Sequence, residues 1–147
     1  MFKHILVPTD GSSLSHNAAE KAVALAKLTG AHLTAFHVAP AYHFDVREGQ
    51  VPHDFMTPAD YVAEVAKQIR PHLDDVRQLA SAAGVACDAH YAMSDYPAEA
   101  IVEAVEKYGC DAVVMGSHGR KGLNKLLLGS ETEKVLVSTK VPVVVTH

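Results

Sequence analysis

The stretch Ile5-Leu6-Val7-Pro8-Thr9-Asp10-Gly11-Ser12 decides the fold. A short, continuous apolar run is the mark of a strand buried on both faces. Pro8 through Ser13 then break it. Ser12 or Ser13 is placed to cap a following helix, because a serine oxygen can accept from the free N–H groups of the first turn. Ala18, Ala19, Ala22, Val23 and Ala26 recur at three-to-four spacing and give that helix an apolar face. Gly30 supplies its stop. Ala31–Val38 reads as a second strand.

Working outward, residues 39–57 are irregular, with Pro40, Gly49 and Pro52 in an acid-rich mix. This is long for an ordinary connection and reads as a functional flap or a partly disordered segment. Thr57-Pro58 has the form of a helix cap followed by proline at the first helical position. Val62, Val65, Ile69, Leu73, Val76 and Ala80 keep helical period up to Gly84. Pro71 falls inside that pattern and is expected to kink the helix or break it near Arg70. Val85–Ala92 reads as a third, less apolar strand. Asp95-Tyr96-Pro97 opens a third helix, with Ile101, Val102 and Val105 inward and Gly109 at its end. Asp111–Met115 is a fourth buried strand, terminated by Gly116-Ser117-His118-Gly119. Ser130-Glu131-Thr132-Glu133 has capping-box spacing and opens a last helix through Ser138. Val141–Val145 is the fifth strand.

Strands alternating with helices imply an α/β domain: a parallel sheet with helices on both faces and right-handed crossovers. Ligands of such sheets sit at the carboxyl ends of the strands, where the winding reverses. Strands 1 and 4 both end in small, turn-forming residues. If they are neighbours, the two turns border one crevice. Pro142 cannot donate to a ladder, which argues that the last strand is an edge. An apolar edge needs cover, and a self-complementary dimer is the economical solution.

The chain has 147 residues, of which 48% are hydrophobic and 20% charged, a balance that fits one globular domain over residues 1–147. Its apolar runs fall far short of the ~20 residues of a membrane helix. The N-terminus lacks a signal-type apolar region, so a cytoplasmic location is expected. There are 13 basic and 17 acidic residues, a net charge of −4 that argues against bulk nucleic-acid binding. The charge is uneven. Residues 41–83 carry four basic and seven acidic side chains, whereas Arg120, Lys121 and Lys125 lie between Asp111 and Glu131 with no acid among them. Such a stretch is a solvated loop or a contact for a small anion. Cys87 and Cys110 form no paired motif and are expected as buried, reduced thiols. The ten histidines fall into no metal-ligand pattern.

Gly116-Ser117-His118-Gly119 and, after a further nine residues, Gly129-Ser130 carry the chemistry. Glycines let backbone approach a ligand, and clustered N–H groups form an anion nest. The start of the last helix adds free N–H groups and a positive dipole end. Ser130 and Thr132 offer hydroxyl donors, and the three basic residues add charge. Together these make a polyphosphate cradle, although each part alone also reads as a plain turn or cap. Asp10, at the end of strand 1, either accepts from ribose hydroxyls or closes an Asx-turn beside Gly11.

On these motifs the chain resembles the universal stress protein family along nearly its whole length. The resemblance is carried by Ile5–Ser12, Phe36-His37-Val38, Val113–Gly119, Gly129-Ser130 and Val141–Val145. It implies a Rossmann-like sheet of the adenine nucleotide alpha hydrolase type, five-stranded and parallel in the order 3-2-1-4-5, with strands 1 and 4 adjacent. It also implies a homodimer through strand 141–146 and ATP, with Mg²⁺, across the crevice. By position, Pro8, Thr9, Asp10 and Val38 would line adenine and ribose. Met115, Gly116, His118, Gly119 and Arg120 would follow the ribose and first phosphates, and Gly129, Ser130 and Thr132 would hold the outer ones. One residue departs from the pattern. Many members have an apolar residue where this chain has Glu131. A carboxylate there suits the helix dipole, but pointed at phosphates it would repel them.

Three functional readings follow. In the first, the chain is an ATP-binding regulator of the stress response that acts through the flap or the dimer on a protein partner. In the second it is a slow ATPase, with His118 as the only candidate base; the P-loop pattern is absent. In the third it is a dimeric interaction module whose nucleotide site is vestigial.

Overall fold

A computed structural model describes residues 1–44, 55–118 and 128–147. The chain forms β1 (His4–Pro8), α1 (Ser13–Thr29), β2 (His32–Ala39), α2 (Pro58–Ala82), β3 (Cys87–Met93), α3 (Pro97–Tyr108), β4 (Ala112–Gly116), α4 (Ser130–Ser138) and β5 (Val143–Thr146). The five strands are parallel in the order β3-β2-β1-β4-β5. The α/β class, the strand order and the adjacency of β1 and β4 are as the sequence and the resemblance led us to expect.

Ile5, Leu6 and Val7 have no exposed surface, because the central strand is covered from both sides. Alternate residues point to opposite faces. Ile5 and Val7, with Leu33, Ala35, Ala112 and Val114, meet Ala19, Ala22, Val23 and Ala26 of α1 and Val65, Ile69, Leu73, Val76 and Ala80 of α2. Leu6, Phe36, Val113 and Met115 meet Ala98, Ile101, Ala104 and Val105 of α3 and Val135 of α4. Each large aliphatic side chain buried in this way contributes roughly 1.5–3 kcal/mol. The alanine face of α1 keeps side-chain volume low, so the helix lies close on β1 and β4.

The register is pinned at the N-terminal end of the sheet. Asp111 accepts the backbone N–H of Lys3 (2.8 Å) and of His4 (3.0 Å), which ties the start of β1 to the start of β4. Helix caps follow the sequence. Ser12 Oγ accepts from Ser15 N–H at 3.2 Å, and Thr57 Oγ1 accepts from Asp60 N–H at 3.1 Å. Gly30 closes α1 in the left-handed region, at φ 72°. Cys110 is buried and Cys87 half-buried, both as free thiols; burial pushes the Cys110 thiol up to about 11.

Three expectations need correcting. Of the kink or break expected at Pro71, the break does not occur: α2 runs without interruption from Pro58 to Ala82. The proline is exposed, while Val65 and Ile69 before it and Leu73 and Val76 after it are buried on one face. That packing outweighs the roughly 3 kcal/mol cost of an interior proline. Val62, the first of the periodic apolar residues, is 43% exposed. Val102 is only half-buried, because the inward stripe of α3 runs through Ala98, Ile101, Ala104 and Val105. β5 begins at Val143 rather than Val141; Pro142 contributes only its carbonyl, which accepts Val113 N–H at 2.9 Å.

Candidate functional site

The carboxyl ends of β1 and β4 meet where the sheet reverses its winding, between strands that lead outward to β2 and to β5. On the β1 side, Thr9 extends the ladder by donating its N–H to the Phe36 carbonyl at 2.8 Å. Its own carbonyl lies 2.7 Å from His37 Nδ1, and its buried hydroxyl lies 3.2 Å from Ser15 Oγ. Asp10 Oδ1 accepts Ser12 N–H at 2.9 Å, so the carboxylate closes an Asx-turn. Gly11 has φ +76°, and a Cβ there would lie 2.1 Å from His72 Nδ1. Only glycine fits this turn. Behind it, on the α1–α2 side, lies a cavity of about 390 Å³ lined by Gly11, Ser12, His16, His72 and Asp75 among others.

On the β4 side, the strand ends against the first turns of two helices. A Cβ on Gly116 would lie 3.3 Å from the Leu14 carbonyl at the start of α1. Ser117 is 1% exposed: its N–H donates to the Thr146 carbonyl and its carbonyl accepts Gly129 N–H, both at 2.7 Å. His118 is half-buried, with Nδ1 at 2.9 Å from Ser117 Oγ. Its Nε2 is buried without a hydrogen-bond partner among the described residues.

The start of α4 differs from its sequence reading. The cap is Gly129, not Ser130, and no side chain caps the helix, so the capping box does not form. Gly129 takes the position because its N–H reaches Ser117 and a Cβ there would meet the Ser117 carbonyl at 2.9 Å. Thr132 is 3% exposed and donates its hydroxyl to the Gly116 carbonyl at 3.0 Å. That proton is used within the protein, so Thr132 holds α4 against β4. Glu131 points away from the end of β4. Its Oε2 accepts Ala98 N–H at the start of α3 (2.9 Å), and its Oε1 lies 3.0 Å from Lys134 Nζ.

Pro8, Thr9, Asp10, Gly116, His118, Gly129, Ser130 and Thr132 therefore gather at one end of the sheet. Val38, near the end of β2, and Met115 lie on the face covered by α3. Gly119 and Arg120, with Lys121 and Lys125, lie outside the described residues. The site reading missed Ser117, whose backbone joins β4, β5 and α4; its place between two glycines was the available signal. Among the described residues, no group of three His, Cys, Asp or Glu side chains could hold a metal ion.

The family model described as "Universal stress protein family" matches residues 1–147. The chain belongs to the universal stress protein family. The protein is 32% identical to the universal stress protein MJ0531 of Methanocaldococcus jannaschii, over 99% of this chain and 82% of that one. Its fold matches the solved structure of MJ0577 from the same organism, with a TM-score of 0.79 at 23% identity over 99% of this chain and 96% of that one. It also matches a universal stress protein solved in complex with cAMP, with a TM-score of 0.72 at 24% identity over 99% and 97% of the two chains. A third match is the universal stress protein of Archaeoglobus fulgidus in complex with dAMP, with a TM-score of 0.67 at 19% identity over 97% and 96%. At these identities the structures establish a shared Rossmann-like α/β fold. No described helix of this family member is long and apolar enough to cross a membrane.

Proposed function

We propose that this family member is an ATP-binding regulatory module of one domain, acting in the cytoplasm as a homodimer through strand 141–146 on a protein partner. The observation that carries the reading is the adjacency of β1 and β4 where the winding reverses. The Asp10 turn follows β1, the Gly116–His118 turn follows β4, and α4, which no side chain caps, begins beside Ser117. A Cβ at Gly116 or Gly129 would meet neighbouring backbone, so glycine at both positions lets the end of β4 pack against the starts of α1 and α4. The buried Nε2 of His118 is a polar atom left for a ligand to satisfy. Two relatives of the same fold were solved with adenine nucleotides, which supports this ligand class.

Pro8, Thr9, Asp10 and Val38 would bind adenine and ribose. Met115, Gly116, His118, Gly119 and Arg120 would follow the ribose and first phosphates. Gly129 and Ser130 would meet the outer phosphates, with Thr132 fixing their position. Mg²⁺ would offset phosphate charge when ATP is bound. Glu131 does not argue for a closed site, because its carboxylate is engaged at α3. The dimer reading is supported by the place of β5 at the sheet edge and by Val144, 38% exposed on it.

The test is nucleotide content followed by stabilisation. Freshly purified protein is denatured and any released nucleotide is identified by chromatography. Mg²⁺-ATP, AMP and cAMP are then titrated while melting is followed. Ligand at a hundredfold excess over Kd stabilises by about 2.7 kcal/mol, and Asp10→Ala should abolish most of that shift. No released nucleotide and no shift at millimolar ligand would overturn the reading.

A further inference from the structure

The structure gives Glu131 a partner in another helix. The start of α3 is poorly provided for. Its cap residue, Tyr96, makes no side-chain cap bond, and Pro97 has no N–H. The first donor that needs an acceptor is therefore Ala98 N–H, on a residue only 4% exposed. Glu131 Oε2 supplies the acceptor from α4, at 2.9 Å. Lys134, one turn along α4, lies 3.0 Å from the other carboxylate oxygen.

The start of α4 is equally short of local support. The helix has nine residues, no side-chain cap, and only Thr132 and Val135 buried. Three contacts place its first turn. Gly129 N–H to the Ser117 carbonyl and Thr132 Oγ1 to the Gly116 carbonyl both run to the end of β4. Val135, fully buried against α3 and β4, holds the body of the helix, while these two bonds tie its start to one strand end. The third contact, Glu131 to Ala98, ties the first turn to a different element.

We infer that Glu131 is a positioning residue: by accepting Ala98 N–H it acts as the missing cap of α3 and locks the first turn of α4 against the end of β4. Its consequence for ligands rests on the nucleotide reading above. With the carboxylate turned to α3, the α4 amides face the crevice in a fixed place, and the negative charge is spent on the positive end of another helix.

The experiment compares wild type, Glu131→Gln and Glu131→Ala by amide hydrogen exchange without ligand, and by titration with ATP and with adenosine. Glutamine keeps an oxygen that can accept from Ala98; alanine does not. The expected result is that Glu131→Ala speeds exchange at both Ala98 and Gly129, by about fivefold, while Glu131→Gln stays within about twofold of wild type. ATP binding then weakens about fivefold in the alanine variant only, and adenosine affinity is unchanged in all three. The inference is overturned if Gly129 exchange is unaltered in Glu131→Ala, since α4 would then be placed without the tether. It is also overturned if both variants bind ATP more tightly than wild type, since Glu131 would then act by repulsion. If wild type binds no adenine nucleotide, the nucleotide reading fails, and the exchange at Gly129 still decides the tether.

Discussion

Gly129→Ala tests the contact on which the site geometry depends. Gly129 sits at φ −63° and ψ 145°, a conformation open to any residue. Alanine there brings no backbone strain, and by restricting the unfolded chain it should stabilise by about 0.4–1 kcal/mol. Against this stands the new methyl. It would lie 2.9 Å from the Ser117 carbonyl oxygen and 3.3 Å from His118 Cα, both backbone atoms that no rotamer change can move. Relieving such a clash costs about 1–3 kcal/mol. Alanine is also a poorer cap than glycine, by about 0.5–1 kcal/mol. The balance is a loss of about 1–3 kcal/mol, or a fall of about 5 °C in Tm at about 2–4 °C per kcal/mol. Gly30→Ala is the control. Gly30 has φ +72° with nothing within 4 Å of a Cβ, so its cost of about 1 kcal/mol is strain alone and lies far from the crevice. Differential scanning fluorimetry and urea melts read both. The stability loss in Gly129→Ala should be accompanied by weaker ATP binding, and that in Gly30→Ala should not. A Gly129→Ala protein that melts at or above wild type would refute the reasoning, because the end of β4 and the start of α4 would not be in contact.

Two histidines should give pH dependences of opposite sign. The hydrogen bond to Asp75 (2.6 Å), helped by the nearby charges of Asp75 and Glu20, holds the His16 pKa above its ordinary 6.5. The pair therefore stabilises fully below that value and its contribution is lost as pH rises through the raised folded pKa. Asp75→Asn should cost under about 1 kcal/mol at pH 6, as the pair is largely exposed, and nothing once His16 is neutral in wild type. At His4, burial and then the charge of His32 hold the pKa below 6.5, against the pull of Asp111 and Asp88. Its contribution is present above 6.5 and is lost as pH falls through the lowered folded value; His32→Gln should raise the His4 midpoint in an NMR titration, and an unchanged midpoint would contradict the assignment. For the proposed dimer, Val144→Lys should give a monomer by light scattering, with melting at low concentration unaltered; a persistent dimer would place the interface elsewhere.

Most of the fold was legible because it rests on local signals that agree with one another. The run Ile5–Val7, bounded by Pro8, reads as a strand buried on both sides, and Ser12, Gly30, Thr57-Pro58 and Gly109 mark helix ends through capping chemistry that needs no knowledge of neighbours. Strand order was not legible in this way. Periodicity requires a parallel sheet but does not choose which strands touch, and only the family resemblance supplied β1 beside β4. The break that does not occur at Pro71 and the exposure of Val62 have one cause. Whether a helix tolerates a proline, and where its apolar stripe begins to matter, depends on where the sheet lies beneath it. Val65, Ile69, Leu73 and Val76 grip that sheet on either side of Pro71, and Val62 lies before it.

The start of α4 shows the same limit at the site itself. Ser130-Glu131-Thr132-Glu133 satisfies the local rule for a capping box, and an isolated peptide would have reason to form one. In the folded chain the rule loses to three outside demands. The Ser117 carbonyl takes Gly129 N–H, the Gly116 carbonyl takes the Thr132 hydroxyl, and the uncapped start of α3 takes the Glu131 carboxylate. Each bond ties the start of α4 to a group on another element. The cap lies one residue earlier, at Gly129, where all three bonds form. The cost is a helix with no side-chain cap of its own, whose free N–H groups stand at the crevice. The residue that looked from sequence like an obstacle to an anion has its carboxylate engaged at the start of α3 instead.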